Sequence, residues 1–275
     1  MIGCGIVGAT IARVFRAQGR KVLVLDDCRQ MNGTAPSGGH CKPGWFAGMP
    51  KDQYEPAMEL LAEVWDLLDE TFVIRPGGLK TTVYRVDTEV VVREPRTKAT
   101  VMEIVDLKAS KPTIVYKQDG ETKEVQGSLV ILATGHWVPE LFRFIKVTDK
   151  QGVSFRFNGQ VTPFIDTWAP YKQVVVHQQG PNEIWIGDGS AILAKNWSDR
   201  TKQCLTRCRT KLGPKFKDAE PIRTITGIRP YCEKQGKDPC LLKKVGPSTW
   251  VATGSGKLGT VSAGWCAWRL LNAET

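Results

Sequence analysis

The chain begins "MIGCGIVGATIARVF" (1–15), and the reading of this stretch decides the fold. Gly3, Gly5 and Gly8 form G-x-G-x-x-G, and Ala12 follows at the usual small position. In a loop joining a strand to a helix, each glycine has a physical task. The first permits a tight turn, the second lets backbone approach a pyrophosphate, and the third lets the helix pack on the sheet. The helix N-terminus then faces the phosphates with its amides and its positive dipole end. The flanks supply the elements that the motif needs. "IARVFRAQG" (11–19) predicts a helix ending at Gly19, a suitable C-terminal glycine. "RKVLVLDD" (20–27) predicts a short buried parallel strand ending in acid. Asp26 lies 23 residues after Gly3, at the strand end where a carboxylate accepts from a ribose hydroxyl. The stretch therefore reads as a dinucleotide-binding unit, against the alternative of a glycine-rich turn in another α/β domain. Only Met1 and Ile2 precede Gly3, so either the first strand starts upstream of this Met or the fold accepts a stub.

With 275 residues the chain is long enough for one large or two modest domains, and nine Trp argue for a packed core. The formal charge of +10 suits an anionic partner, such as a dinucleotide or acidic metabolite, or simply a solvated surface. The eight cysteines include no C-x-x-C pair, and His40, His136 and His177 are scattered, so no metal site is expected. Without a signal peptide, reduced thiols and a cytoplasmic location are the expectation. No apolar run reaches the length of a membrane span.

Further along, "MNGTAPSGGHCKPGWFAGMP" (31–50) reads as loop, and "KDQYEPAMELLAEVWDLLDE" (51–70) as an amphipathic helix. "LKTTVYRV" (79–86), "TEVVVRE" (88–94) and "ATVMEIVDL" (99–107) read as strands. A hairpin turns at Asp119-Gly120, and a buried strand ends at Ala133-Thr134-Gly135. Antiparallel strands surround Gly180-Pro181. Residues 195–223 carry nine Lys and Arg against three acids, with Cys204 and Cys208 one helical turn apart as ordinary helix thiols. Only Trp197 and Phe216 are available there for base stacking, so a solvated helix face is preferred to a nucleic-acid surface. The tail "TWVATGSGKLGTVSAGWCAWRLL" (249–271) is strand, glycine turn and apolar helix.

The "GIRPYCEKQGKDP" segment (227–239), followed by that tail, resembles the C-terminal signature of the D-amino-acid-oxidase-like flavoproteins, the group of glycine oxidase and sarcosine oxidase. "APSGGHCKPGWF" (35–46) resembles their loop beside the flavin, and "LVILATG" (129–135) their strand on the adenine side. The resemblance implies an α/β fold, a Rossmann-type FAD-binding domain with a smaller mixed-sheet substrate domain. The FAD domain is expected from 1–48, 98–140 and 221–275, and the substrate domain from 49–97 and 141–220. The resemblance places Gly3, Gly5 and Gly8 on the FAD pyrophosphate and Asp26 on the adenosine ribose. It places Ser37, Gly38, Gly39 and His40 near the flavin ring, and Val101, Thr134 and Gly135 on the adenine side. Gly254, Gly256, Lys257, Leu258 and Gly259 would form a loop at a helix N-terminus, whose amides stabilise negative charge on the reduced flavin. Arg229 matches an arginine that grips a substrate carboxylate, for which a planar guanidinium fork is suited. Lys257 takes the place of a second cation. The competing readings are a structural salt bridge for Arg229 and an exposed loop lysine for Lys257. His40 or Cys41 could carry a covalent flavin link, but noncovalent FAD is preferred.

The implied activity is oxidation of an amine or amino acid bearing a carboxylate, by hydride transfer to flavin N5, with oxygen or a quinone as acceptor. The alternatives are an NAD(P)H-linked monooxygenase or halogenase, a tRNA-modifying flavoprotein, and a non-catalytic FAD-binding protein. Two departures from the pattern stand out. Gly78 to Ala99 is a short span where relatives carry much of a substrate domain, and Gly254-Ser255 replaces a Gly-His step.

Overall fold

A computed structural model describes residues 1–29, 32–41, 49–169, 172–189, 197–232 and 238–274. The first half runs α1 (Ile6–Ala17), β1 (Leu25–Asp26), β2 (His40–Cys41), α2 (Lys51–Val64), β3 (Leu68–Arg75), β4 (Leu79–Arg85), α3 (Thr88–Val92) and β5 (Thr97–Lys98). It continues with β6 (Thr100–Val105), β7 (Thr113–Gln118), β8 (Glu121–Gln126), β9 (Val130–Leu132) and α4 (Val138–Leu141). Then come β10 (Thr148–Asn158), β11 (Phe164–Ala169), β12 (Lys172–Gly180), β13 (Glu183–Gly187) and α5 (Trp197–Leu212). The chain closes with β14 (Arg223–Tyr231), β15 (Leu241–Gly246), β16 (Thr249–Thr253) and α6 (Gly259–Glu274).

The two residues ahead of the glycine turn occupy the centre of a sheet. Ile2 bridges Leu25 on one side and Leu132 on the other, both parallel. Ile2 N donates to Ile131 O and Ala133 N to Ile2 O, at 2.8 and 2.7 Å. Leu25 N donates to Met1 O and Gly3 N to Leu25 O, at 2.9 and 2.8 Å. The stub thereby joins β5–β1 to β9–β16–β15 in one sheet, parallel except at β15. At the turn, Gly3 has φ +91°, and a Cβ there would lie 2.6 Å from Ala133 O. A Cβ on Gly8 would run into the Gly3 carbonyl oxygen. Helix and turn are thus in contact, with no room for a methyl group.

Helices α1, α2 and α6 cover one face of this sheet, burying Ile11, Phe15, Ala57, Trp265 and Leu270. The β6–β7–β8 meander covers the other, packing Ile114 and Tyr116 on Leu132 and Val251. Glu94, with 3% of its side chain exposed, receives Arg13 Nε and Arg16 Nη1, each at 2.7 Å. This pair of charge-assisted bonds ties α1 to the segment leading into β5.

The second sheet has eight strands in the order β14–β10–β13–β12–β11–β3–β4–β2. It is mixed, because β11 runs parallel to β3 while the other neighbours are antiparallel. One face, with Phe155, Phe157, Val174, Val176, Ile184 and Ile186, packs on Cys204 and Cys208 of α5. Asp188, just past β13, fixes α5 through a two-bond ion pair with Arg207, at 2.8 and 3.0 Å. The opposite face looks toward the parallel sheet.

Several sequence expectations are corrected in detail. The helix expected over 51–70 ends at Val64. Trp65 turns extended, its Nε1 donates to Thr10 Oγ1 at 2.9 Å, and β3 begins at Leu68. "TEVVVRE" contains a helix rather than a strand, because the Asp87 side chain accepts from Glu89 N and caps α3. The strand expected over 20–27 has its ladder at Leu25–Asp26 alone. Within the 31–50 loop, His40–Cys41 pairs antiparallel with β4, while residues 42–48 lie outside the described residues. Lys195 of the basic segment also lies outside them. Strand β14, within a stretch expected in the FAD domain, pairs with β10 in the eight-stranded sheet.

Two substitutions test this packing by urea unfolding. Gly8→Ala should destabilise by about 1–3 kcal/mol through overpacking. Glu94→Ala should cost about 2–3 kcal/mol, less than a fully buried pair, because its arginines are one-third exposed. An unchanged midpoint in either variant would contradict the contact it removes.

Candidate functional site

A cavity of ≈ 350 Å³ lies between the C-terminal edge of the parallel sheet and the open face of the eight-stranded sheet. This is where open α/β sheets place ligands, because strand ends and helix N-termini converge there. Gly3, Gly5 and Asp26 line one end. Gly5 is the N-cap of α1; it offers no capping side chain, and the first turn of α1 holds no acid. Thr34 Oγ1, from the loop after β1, accepts from Ile6 N at 2.9 Å. Asp26 accepts from Cys4 N at 2.5 Å and from Cys28 N at 2.7 Å, which holds its carboxylate at the mouth of the turn. Val101, Thr134 and Gly135 continue the wall. Arg29 stacks on Trp137, 5.3 Å from its centroid, and pairs with Asp27 and, at 2.6 Å, with Glu140.

Ser37, Gly38 and His40 line the middle, and Gly256, Lys257 and Gly259 bring the start of α6 to the cavity. Four of the expected residues sit one layer back. Gly8 packs against Gly3, and Gly39 against the Val86 carbonyl. Gly254 lies against Cys232, and Leu258 joins the core beside α1. Cys41 is fully buried in that core, where burial raises its thiol pKa well above the ordinary value.

At the other end Arg229 projects from β14, and its guanidinium lies over Gly152 of β10; a Cβ there would be 2.7 Å from Cζ. Lys257 Nζ approaches Gly189, just past β13, at 3.7 Å from its Cβ position. Arg229 comes from the eight-stranded sheet, and Lys257, which is exposed, from the turn between β16 and α6. Gly256 N donates to Pro230 O at 2.8 Å, and Tyr231 bridges Ser255. Burial lowers the Arg229 pKa, with Tyr231 and Asp188 acting in the opposite sense. A guanidinium keeps its charge under such a shift.

Between these ends lies an aromatic wall that sequence reasoning missed. Trp185 of β13 lines the cavity, and His177 of β12 stacks on it, centroids 4.9 Å apart and 11° between planes. His40 Nε2 meets His177 Nδ1 at 2.9 Å, and His177 Nε2 meets Gln179 Oε1 at 2.9 Å. Burial, with Arg85 adding to it, pushes the His40 pKa down to about 3, and His177 is lowered well below its ordinary value for the same leading reason. The available signal was a histidine directly after the apolar run of three valines in "VVVHQQ" (174–179).

FAD fits the residues present. The cavity presents a helix N-terminus without an acidic residue, a carboxylate beside it, and a buried Thr134 Oγ1 in the wall with no hydrogen-bond partner in the structure. Such donors and acceptors suit a pyrophosphate and a ribose better than an apolar ligand. Among the described residues no helix is long and apolar enough to cross a membrane.

The fold matches glycine oxidase from Geobacillus kaustophilus at a TM-score of 0.70 and 13% identity, over 98% of this chain and 92% of that one. It matches iminodiacetate oxidase from Chelativorans sp. at 0.70 and 12%, over 97% and 92%. It also matches L-amino acid deaminase from Proteus vulgaris at 0.68 and 12%, over 98% and 92%. A search of curated protein sequences found no match. The sequence model of the FAD dependent oxidoreductase family matches residues 91–272, more than half of the chain. The chain belongs to this family and is an FAD-dependent oxidoreductase of the D-amino-acid-oxidase-like fold.

Proposed function

We propose that the protein oxidises an amine or amino acid that carries a carboxylate. The observation that carries this reading is that Arg229 and Lys257 both line the cavity and start from adjoining main chain, where Gly256 N donates to Pro230 O. The half-buried Arg229 and the exposed Lys257 together favour a carboxylate, and the guanidinium fork orients it through paired hydrogen bonds. Anchored there, the rest of a small substrate lies along Trp185 and His40. Fixing the reacting carbon in this way supplies orientation that free reactants lack. FAD, when bound, supplies the two-electron acceptor. The matched solved structures include oxidases of glycine and iminodiacetate, whose names describe small amino carboxylates.

We assign Gly3, Gly5 and the first turn of α1 to the pyrophosphate, Asp26 to the adenosine ribose, and Val101, Thr134 and Gly135 to the adenine side. Ser37, Gly38, His40 and the 256–259 turn face the flavin ring in this reading. Gly8, Gly39, Gly254 and Leu258 support those segments from behind. The amides at the start of α6 stabilise negative charge on the ring as it is reduced. Oxygen or a quinone then takes the electrons.

Two variants test the assignment. Asp26→Ala should weaken FAD binding at least about 10-fold, measured by flavin fluorescence titration, since it removes a charged acceptor. FAD affinity equal to the unaltered protein would remove Asp26 from the site. Arg229→Ala should keep its flavin absorption yet raise KM about 100-fold or more for any of glycine, N-methylglycine, iminodiacetate or L-proline that bleaches the flavin anaerobically. An unchanged KM would refute the carboxylate anchor. Bleaching by NADH, with none by these amines, would refute amine oxidation.

A further inference from the structure

Several arginines packed into this fold have a carboxylate of their own. Arg13 and Arg16 share Glu94, and Arg85 pairs with Glu70 at 2.7 Å. Arg156, behind the aromatic wall, faces Glu183 at 3.4 Å and Glu89 at 3.9 Å. At the cavity itself Arg29 is held by Asp27 and Glu140. Arg96 differs from all of these. It lines the same cavity from the connection between α3 and β5, and it is half-buried. Among the described residues its guanidinium forms no ion pair, and its hydrogen bond runs from Nη2 to the Val92 carbonyl oxygen. A guanidinium carries several further N–H donors, all pointing outward in one plane, and these are left for a partner in the cavity.

The surroundings say which part of the cavity this charge serves. Cys4 lies inside the glycine turn, between Gly3 and Gly5, and Cys28 follows the strand end at Asp26. The main-chain N–H groups of both donate to the Asp26 carboxylate, so its oxygens are engaged without Arg96. Burial raises the pKa of each thiol, to about 11 for Cys4; in both, the Arg96 charge acts downward and the Asp26 charge upward. Arg96 therefore stands within electrostatic reach of the turn and of the carboxylate at once. The N-terminus of α1, which has no capping side chain, opens on the same space. A helix N-terminus brings partial positive charge and amide donors, and a guanidinium without a carboxylate adds a full charge and a planar fork. Together they suit a diphosphate better than the helix does alone.

We propose that Arg96 binds the cofactor, its guanidinium fork donating to oxygens of the FAD phosphate nearest the adenosine, between the glycine turn and Asp26. This rests on the placement of the adenosine ribose at Asp26. The two side chains then divide the adenosine half by chemistry. An ionised carboxylate only accepts, so Asp26 takes ribose hydroxyls and repels a phosphate. A guanidinium only donates, so Arg96 takes the phosphate and offsets that repulsion. The bond to the Val92 carbonyl holds the arginine side chain before the cofactor arrives, which lowers the ordering cost of binding.

The test is flavin fluorescence titration of the flavin-free full-length chain with FAD, using AMP and adenosine as competitors. Arg96→Met keeps an unbranched stem and removes the fork. It should raise the Kd for FAD at least about 10-fold at low salt, as expected for loss of a hydrogen-bonded charge. Its FAD affinity should also fall less steeply with salt than that of the unaltered protein. AMP should compete more weakly in this variant, while adenosine competes as before. FAD affinity equal to that of the unaltered protein would overturn the proposal. Equal losses for AMP and adenosine would also overturn it, because they would place Arg96 on the ribose or base. Should Arg96→Met not fold, Arg96→Lys keeps the charge without the planar fork, and its Kd for FAD should still rise about 3-fold or more. Full affinity in that variant would overturn the paired contact. Asp26→Ala separates the proposal from the reading beneath it, since adenosine competition should weaken there. Unchanged adenosine competition in Asp26→Ala would remove the ribose from that position, while a loss confined to AMP in Arg96→Met would still support the phosphate contact.

Discussion

The architecture depends on the main chain of Met1–Gly3. Its donors and acceptors reach both neighbours, and without them the β5–β1 pair and the β9–β16–β15 ladder would share no hydrogen bond. Parallel sheets are stable only when buried on both faces. Here α1, α2 and α6 seal one side and the β6–β8 meander the other. The glycine turn follows at once, so the pairing that completes the sheet also sets where α1 begins. The position of the helix N-terminus at the cavity is thus a consequence of backbone pairing. The glycines permit it by letting α1 and the Ala133 carbonyl close on the turn.

Charge is distributed along the cavity in an ordered way. A carboxylate and helix amides stand at one end, an uncharged aromatic stretch follows, and two cations stand at the other. The buried arginines behind the aromatic stretch have their own carboxylates, so little of their charge is left to attract a ligand. Unpaired buried charge is very costly, and unpaired buried polar atoms cost less but still enough to matter. That cost is why the polar residues behind Trp185 are strung into one hydrogen-bonded chain.

Much of this was legible in the sequence wherever the signal is local. The glycine turn, Asp26, the hairpin at Asp119-Gly120 and the terminal strand–turn–helix all rest on residues close together in the chain. Reading failed where a contact across the fold overrides local preference. Trp65 continues the apolar spacing of α2, yet its indole reaches Thr10 and the helix stops. The run of valines in "TEVVVRE" suggested a strand, but Asp87 in front of it is a helix cap, a local signal that was overlooked. The aromatic wall could not be assembled from the sequence, because His40, His177 and Trp185 come from β2, β12 and β13, brought together only by sheet order. Arg229 and Lys257 were singled out through motif resemblance; their neighbourhoods, with Gly152 and Gly189 respectively, could not have been.

The bridge between Tyr231 and Ser255, with the bond from Gly256 N to Pro230 O, lies beside both Arg229 and Lys257. It is made of backbone, so the spacing of the main-chain positions from which the two cationic side chains start does not depend on which side chains pack nearby. The cavity therefore carries an internal ruler at its cationic end. New ligand lengths and shapes are more readily accommodated by changing the aromatic stretch, where side chains define the wall, than by moving the end stitched by the main chain.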